Sequence, residues 1–490
     1  MIDEVQKSGY NINDMNILKS FFQVGLGTAI NILLSLFTTP IITRIVDPVD
    51  YGKFQMFTTY TGIIAAFLYF GLNESLYRFF YEYNNDKEKS GLLKLCFCIP
   101  IVTAILTSIV AIILFKCELI KIDYSTTLFI LLCINSIVTV WNTISMEMLQ
   151  NTKQSGIYSL AIVIQKLIYC VIGICLIKTI NNNSLLILVI VTILSYFIST
   201  LMGTIATKKY WNFLKVSFPK NTKEIINYSL PIYVYFIIYS IYDVVDKIII
   251  ENNFSEYDVG IYTSAFSIVG LFAIIQTTFN VIWKPIQTES YSSSSEDKTL
   301  IQNGNRYMTI IMFFVGINVI MFRNIFVLFL GQEYRTCVNL IPFLVFNPIF
   351  NTLIVSAISG IEYAKKSYLR TIIITISLIL ELLISKLLIP VLGTYGVAIS
   401  MALSLIIQYL LTVYFSNKYY YIDYGIKNMS VVLLLTFVFA SASVYFSSLV
   451  IDILLYVVCT VVLYFLYKDE IQSIYKQLIA LIENKRKEEH

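Results

Sequence analysis

The sequence predicts an all-α integral membrane protein of about 14 transmembrane helices, from three observations. Of its 490 residues, 57% are hydrophobic and only 13% charged. A soluble domain carries about twice that charge density, so the surface of this chain needs lipid rather than water around it. Apolar runs of spanning length recur along the whole chain, and its two halves repeat each other. The composition excludes a soluble enzyme, a nucleic-acid binder and a disordered scaffold. The net charge of +4 is mild; its placement is more informative.

The first 17 residues are polar, with Asp3, Glu4, Lys7 and Asp14. The run after them is long enough to span and shows no small-residue cleavage site, so the first span is expected to act as the targeting signal. Spans are expected at about 18–42, 54–79, 92–115, 127–149, 157–178, 184–206, 227–250, 260–283, 306–330, 337–359, 368–389, 394–416, 429–448 and 450–467, each near the roughly 20 residues that a bilayer requires. The last two divide near Ser447–Ile451. The longest connections, about 207–226 and 284–305, could not hold a folded domain.

Orientation follows from Lys and Arg. With the N-terminus inside, the inner segments hold about 21 of these residues. The outer ones hold six, namely Arg44, Lys53, Lys116, Lys121, Lys178 and Arg335, a strong positive-inside bias. Both termini are then cytoplasmic, which requires an even number of spans. Tyr210–Lys223 mixes Trp211, Phe213, Leu214 and Phe218 with Lys215, Lys220 and Lys223, the pattern of a segment lying on the inner leaflet. Ile471, Ile474, Tyr475, Leu478 and Ile482 recur at helical spacing and predict an amphipathic cytoplasmic tail.

A shift of 208 residues lays Asp50, Gly52, Gly62 and Ala65 on Asp258, Gly260, Gly270 and Ala273. A shift near 212 lays Lys153-Gln154-Ser155 on Lys365-Lys366-Ser367. Each match falls at the start of the same span, on the same side of the membrane, in both halves. The expected organisation is therefore an N-terminal bundle over 1–206 (spans one to six), a cytoplasmic interfacial linker over 207–226 and a C-terminal bundle over 227–416 (spans seven to twelve). Two further helices over 417–467 and the cytoplasmic amphipathic tail over 468–490 complete the chain. Two parallel six-helix bundles around a central cavity make a transporter architecture, working by rocking one bundle against the other. They fit a channel less well.

Ionisable residues at bilayer depth mark functional sites or their partners. Asp243, Asp246 and Lys247 share one face of span seven at i, i+3 and i+4, with Tyr239 one turn earlier. Asp243 and Lys247 could neutralise each other; Asp246 is then a spare carboxylate. Lys166 and Glu381 lie near the middle of equivalent spans, five and eleven, and form either a clasp or a substrate and ion site. Glu74 and Arg78 are i, i+4 on span two, with Glu82 a turn on, so a boundary salt ladder is one reading of them. Arg323, in the outer third of span nine, is placed to snorkel. Glu147, Lys284 and Lys386 sit near span ends and suggest no role. Pro342, Asn347, Pro348 and Asn351 interrupt span ten, either lining a cavity or kinking the helix for packing.

No catalytic constellation or metal site is expected. The only histidine is His490. The eight cysteines fall in or beside apolar stretches, where they read as small apolar residues. Cys96-Phe97-Cys98 has the wrong spacing for zinc.

The run Pro40-Ile41-Ile42-Thr43-Arg44-Ile45-Val46-Asp47-Pro48-Val49-Asp50-Tyr51-Gly52 resembles the opening of the polysaccharide-flippase family, the Wzx-type O-antigen and capsule repeat-unit transporters. Asp246-Lys247, Val259-Gly260-Ile261-Tyr262 with Ala265, and Pro285 are similar to that family's later elements. The resemblance implies membership of the multidrug/oligosaccharidyl-lipid/polysaccharide (MOP) exporter superfamily. It implies a fold like that of the MATE transporters and a location in the bacterial plasma (inner) membrane. It also implies alternating-access flipping of undecaprenyl-pyrophosphate-linked oligosaccharide, coupled to an H+ or Na+ gradient. Its partners would be that lipid-linked sugar, membrane lipid, and the polysaccharide polymerase and glycosyltransferases of the same route. By motif match it marks Arg44, Gly52, Asp246, Lys247, Gly260 and Pro285. A cationic cavity is part of the family picture, and Arg78, Lys166, Lys247 and Arg323 are the candidates here. Asp243, Asp246, Glu381 and Glu74 are the candidates for the coupling ion. No other cofactor is implied.

A lipid-linked sugar has a large polar head and a long apolar tail. Moving the head needs a polar, cationic, laterally open path for the pyrophosphate, and no chemistry. The alternatives are a lipid II flippase, or a MATE-type drug/cation antiporter, which often carries an acidic residue in span one where Leu18–Ile42 has none. A different class is a membrane glycosyltransferase or polymerase using Asp47 and Asp50. Such enzymes usually carry a large outer loop or domain, which is missing here.

Overall fold

The computed structural model describes residues 30–473, apart from 31–33, 36, 121, 123, 181–182, 273–274, 277–278, 280–282, 284–297 and 447. Most of the expected first span, Lys284, Pro285 and the tail from 474 onward lie outside the described residues. Among the described residues there is no strand, and eleven helices are long and apolar enough to cross a membrane. Three expected spans are not among the eleven. Span one is mostly undescribed. Span two is divided in its middle. Span eight runs into undescribed residues beyond Phe272.

The chain forms two compact units, residues 1–260 and 261–490. In the first, α1 (Pro48–Tyr69) opens with Pro48 at its first position and Asp47 as its cap. The Asp47 carboxylate accepts from the Val49 and Asp50 amides, both at 3.0 Å. It ends at Phe70 and Gly71, both left-handed (φ 52° and 68°), and α2 (Leu72–Phe79) continues from there. Glycine is required at 71 because a methyl there would meet the Ser229 carbonyl of α7. Next come α3 (Asp86–Lys116), α4 (Thr126–Asn151), α5 (Ser155–Ile180), α6 (Ser184–Ala206), α7 (Thr222–Tyr242), α8 (Val245–Asn253) and the first turns of α9 (Glu256–Val269). Leu72, Leu76, Leu92, Leu93, Val140, Ile144 and Met148 make a closed core between α2, α3 and α4.

The linker after α6 docks on α3. The Lys94 ammonium donates to the carbonyls of Phe213 and Val216 (3.0 and 2.8 Å), and Phe97 packs edge-on to Trp211. Tyr210 is buried, while Leu214 is fully exposed beside this basic segment.

The second unit contains α10 (Thr299–Phe326), α11 (Ile341–Leu344), α12 (Phe346–Ala357), α13 (Ser359–Tyr363), α14 (Tyr368–Leu392), α15 (Thr394–Tyr419), α16 (Ile426–Tyr445) and α17 (Leu449–Leu466). Small residues let its helices approach closely. Gly360 donates its amide to Ser416 Oγ at 2.9 Å, and a methyl there would meet the Ser416 carbonyl. The proline-rich segment of expected span ten is broken into α11, α12 and α13. It is largely buried, with Asn351 donating to Asn347 at 3.0 Å and Asn347 facing Met401 Sδ at 3.8 Å.

Candidate functional site

Of the two glycine pairs related by the 208-residue shift, Gly52 and Gly260 meet. A methyl on Gly52 would fall on the Glu256 carbonyl, and one on Gly260 on the Pro48 carbonyl. Glu256 is Pro48 shifted by 208, so the contact is reciprocal, the pattern of a two-fold relation between equivalent segments. The helix caps are equivalent as well. Asp47 caps α1, and Ser255, its counterpart, caps α9 through a reciprocal exchange with Asp258 (2.6 Å between Ser255 Oγ and the carboxylate). The shared Asp-x-Gly pattern thus has a physical basis: each glycine lets the other helix's first turn sit against it.

Other charged candidates of the first unit occupy several places. Span seven is broken at Asp243–Val244, where α7 stops and α8 begins. The continuous face expected for Asp243, Asp246 and Lys247 is therefore interrupted. Asp246 is buried and accepts from the Lys247 amide at 2.8 Å; exposed Asp243 and half-buried Lys247 interact electrostatically. Lys166 is half-buried on α5 with Nζ 5.5 Å from the Tyr169 ring centroid, and that ring stacks on Phe54 of α1. Arg78 is exposed and pairs with Glu82 at 3.0 Å rather than with Glu74. Arg44 is exposed. Pro285 lies outside the described residues.

In the second unit, Arg323 does not snorkel. It is 3% exposed, and its guanidinium donates to Asp452 of α17 (2.9 Å), to the Ser443 carbonyl of α16 (2.9 Å) and to the Ile320 carbonyl (2.9 Å). Glu381 is 1% exposed and accepts from Ser404 Oγ at 3.0 Å. Arg306 bridges Asp423 (2.7 Å) and Glu470 (3.0 Å).

Sequence reasoning missed Asp452, Arg306, Glu147 and Glu251. Glu251 accepts a hydrogen bond from Tyr60, whose ring packs edge-on to Tyr124. Only a depth argument could have flagged Glu147 and Asp452, since their partners are distant in sequence. Among the described residues, no group of three or more His, Cys, Asp or Glu is placed to hold a metal.

Residues 17–290, more than half of the sequence, match the family described as polysaccharide biosynthesis protein. The chain belongs to that family. No curated protein matches its sequence. Among solved structures, lipid II flippase MurJ in an inward closed conformation superposes with a TM-score of 0.66 at 15% identity, over 91% of this chain and 99% of that one. A MATE-family multidrug resistance transporter of the MOP superfamily, inward-facing, gives 0.63 at 16% identity, over 80% of this chain and 94% of that one. The same description in an outward-facing conformation gives 0.57 at 17% identity, over 82% and 95%. This polysaccharide biosynthesis family member is thus a multi-pass membrane protein with the MOP exporter fold. The Gly52–Gly260 crossing lies inside the region matched to the family.

Proposed function

We propose that this protein flips undecaprenyl-pyrophosphate-linked oligosaccharide across the bacterial plasma membrane by alternating access, driven by a cation gradient, with both termini cytoplasmic. The observation that carries the reading is a combination. The sequence belongs to a polysaccharide biosynthesis family while its fold extends along 99% of a lipid II flippase. The family points to a sugar cargo, and the superposition on a lipid II flippase points to a lipid carrier for it. The charge bias of about 21 to six supports the orientation.

The pyrophosphate calls for cations not already committed to carboxylates. Lys166 lies over an aromatic ring and carries the assignment; Lys247, beside the break in span seven, shares its charge with Asp243 and is second to it. Arg78 is an exposed boundary residue that would meet the headgroup first. Arg323 is withdrawn from this role by its partner Asp452. Lipid II itself is the second reading, favoured by the superposition with MurJ.

The test is complementation in a strain lacking the gene. The native chain is expected to restore surface polysaccharide. Lys166→Met is expected to restore less than about a tenth of it, at equal membrane abundance, while Lys166→Arg retains most. Full restoration by Lys166→Met would remove Lys166 from the path. Failure of the native chain to restore polysaccharide, with restored growth under lipid II flippase depletion, would select the second reading.

A further inference from the structure

Residues 207–223, between α6 and α7, hold five lysines and no carboxylate: Lys208, Lys209, Lys215, Lys220 and Lys223. They also hold Trp211, Phe213, Leu214 and Phe218. The segment is folded against α3. Lys94 donates to its carbonyls at Phe213 and Val216, and Phe97 packs on Trp211. A methyl on Gly91 would meet the Ser217 carbonyl. Within the segment, the Trp211 indole donates to Thr207 Oγ1 at 2.9 Å. Lys94 Nζ also stands 5.3 Å from the centroid of the Phe218 ring, so that ammonium is committed to holding the segment. Of the segment's own lysines, Lys209 pairs with Asp86 at 3.4 Å, and Lys208, Lys220 and Lys223 are exposed.

Where the segment docks decides what its exposed face meets. Gly91 and Lys94 lie on the same side of α3 as Cys98, Ile105 and Ile109, which follow Lys94 at i+4, i+11 and i+15. Ile105 and Ile109 are exposed on a helix long and apolar enough to cross a membrane, so this side of α3 faces lipid. The contacts at Gly91, Lys94 and Phe97 fall near the N-terminal end of α3, where the helix enters the bilayer. Leu214, fully exposed, and Phe218, half exposed, therefore stand at the edge of the hydrocarbon among lysines. An apolar tip flanked by ammonium groups is complementary to an anionic headgroup above its acyl chains.

We propose that residues 207–223 form a selective binding surface for anionic phospholipid, with Leu214 and Phe218 against acyl chains and Lys208 and Lys220 against phosphate oxygens. The surface is preformed, because α3 holds the backbone at 213–217, and a headgroup binds without first ordering the segment. The lysines set the choice of lipid, since the acyl chain of a neutral lipid fits Leu214 equally well. The binding surface rests on the membrane-spanning fold and not on the flippase reading.

The test uses the full-length protein with Trp141→Phe and Trp283→Phe, which leaves Trp211 as the only tryptophan, reconstituted in phosphatidylcholine vesicles. Phosphatidylglycerol or phosphatidylcholine, brominated near the head of its acyl chains, is titrated in, and quenching of Trp211 is read. A lysine at a headgroup is worth about fivefold in affinity. Brominated phosphatidylglycerol is therefore expected to quench at about a tenfold lower mole fraction than brominated phosphatidylcholine. Lys208→Gln/Lys220→Gln is expected to bring the two lipids within about twofold of each other. Equal quenching by the two lipids with the lysines in place would overturn the proposal, as would an unchanged preference in the lysine variant. Quenching by neither would overturn it in favour of water or a protein at this surface. Native mass spectrometry of the protein with all its tryptophans gives a second reading. Phosphatidylglycerol is expected to survive detergent exchange in preference to phosphatidylcholine and to be lost from Lys208→Gln/Lys220→Gln. Equal retention of the two lipids would overturn the proposal whether or not the tryptophan variants fold.

Discussion

The two units treat buried charge differently. In the second, Arg323 is held by Asp452 of α17, and Arg306 by Asp423 and Glu470. In the first, Lys166 has an aromatic ring for a partner, and Asp243 and Lys247, on either side of a helix break, interact electrostatically. Charge at bilayer depth is expensive unless paired. The second unit therefore uses Arg306 and Arg323 to join helices, while Lys166 of the first lies over a ring with no carboxylate at ion-pair distance among the described residues. A carrier needs both: fixed contacts to hold its helices and unsettled ones for a cargo or an ion to complete.

The sharpest way to break this contrast is at Asp452. Asp452→Leu strands the Arg323 guanidinium and is expected to cost about 3–5 kcal/mol, read as a large fall in thermal midpoint in detergent. The double variant Arg323→Met/Asp452→Leu is expected to recover most of that. Asp452 Oδ1 and Arg323 Nε have no partner among the described residues, so the pair itself is incompletely satisfied. A double variant as unstable as the single one would mean that the pair does more than join helices.

Gly52→Val comes next. Its side chain has no room against the Glu256 carbonyl, and separating two packed helix starts is expected to cost about 1–3 kcal/mol. Gly260→Val is expected to cost a similar amount, since the contact is reciprocal. A strong asymmetry between the two, measured by thermal unfolding, would break the two-fold relation.

Why the sequence showed some of this and hid the rest is a matter of range. Spanning helices follow from local hydropathy, so most of the expected spans lie on helices. The Asp50–Gly52 and Asp258–Gly260 match was visible as a repeat, but not that the two glycines touch, because contact across 208 residues leaves no local trace. Arg323 looked like a snorkelling residue because Asp452, its partner, is 129 positions away. Arg78 has carboxylates at both i−4 and i+4, Glu74 and Glu82, and spacing alone could not choose. The structure pairs Arg78 with Glu82. Span seven carries no proline or glycine at its break, Asp243–Val244, so no local signal marked it.

The smallest expected effect is at Arg78. Its ion pair with Glu82 is exposed on both sides, so Arg78→Ala is expected to change stability by no more than about 0.5 kcal/mol. A larger fall in thermal midpoint would show that the boundary pair belongs with the joining charges of the second unit.

The central claim is tested most directly by reconstitution. The purified protein is placed in liposomes carrying undecaprenyl-pyrophosphate-linked oligosaccharide, an inward acid pH gradient is imposed, and the fraction of sugar exposed on each leaflet is followed by an added glycosidase or lectin. The native chain is expected to move the sugar faster than empty liposomes do. Lys166→Met is expected to be slowed by about tenfold or more, and collapse of the gradient is expected to stop net transfer. A native rate equal to that of empty liposomes, with the protein folded and inserted, would contradict the account.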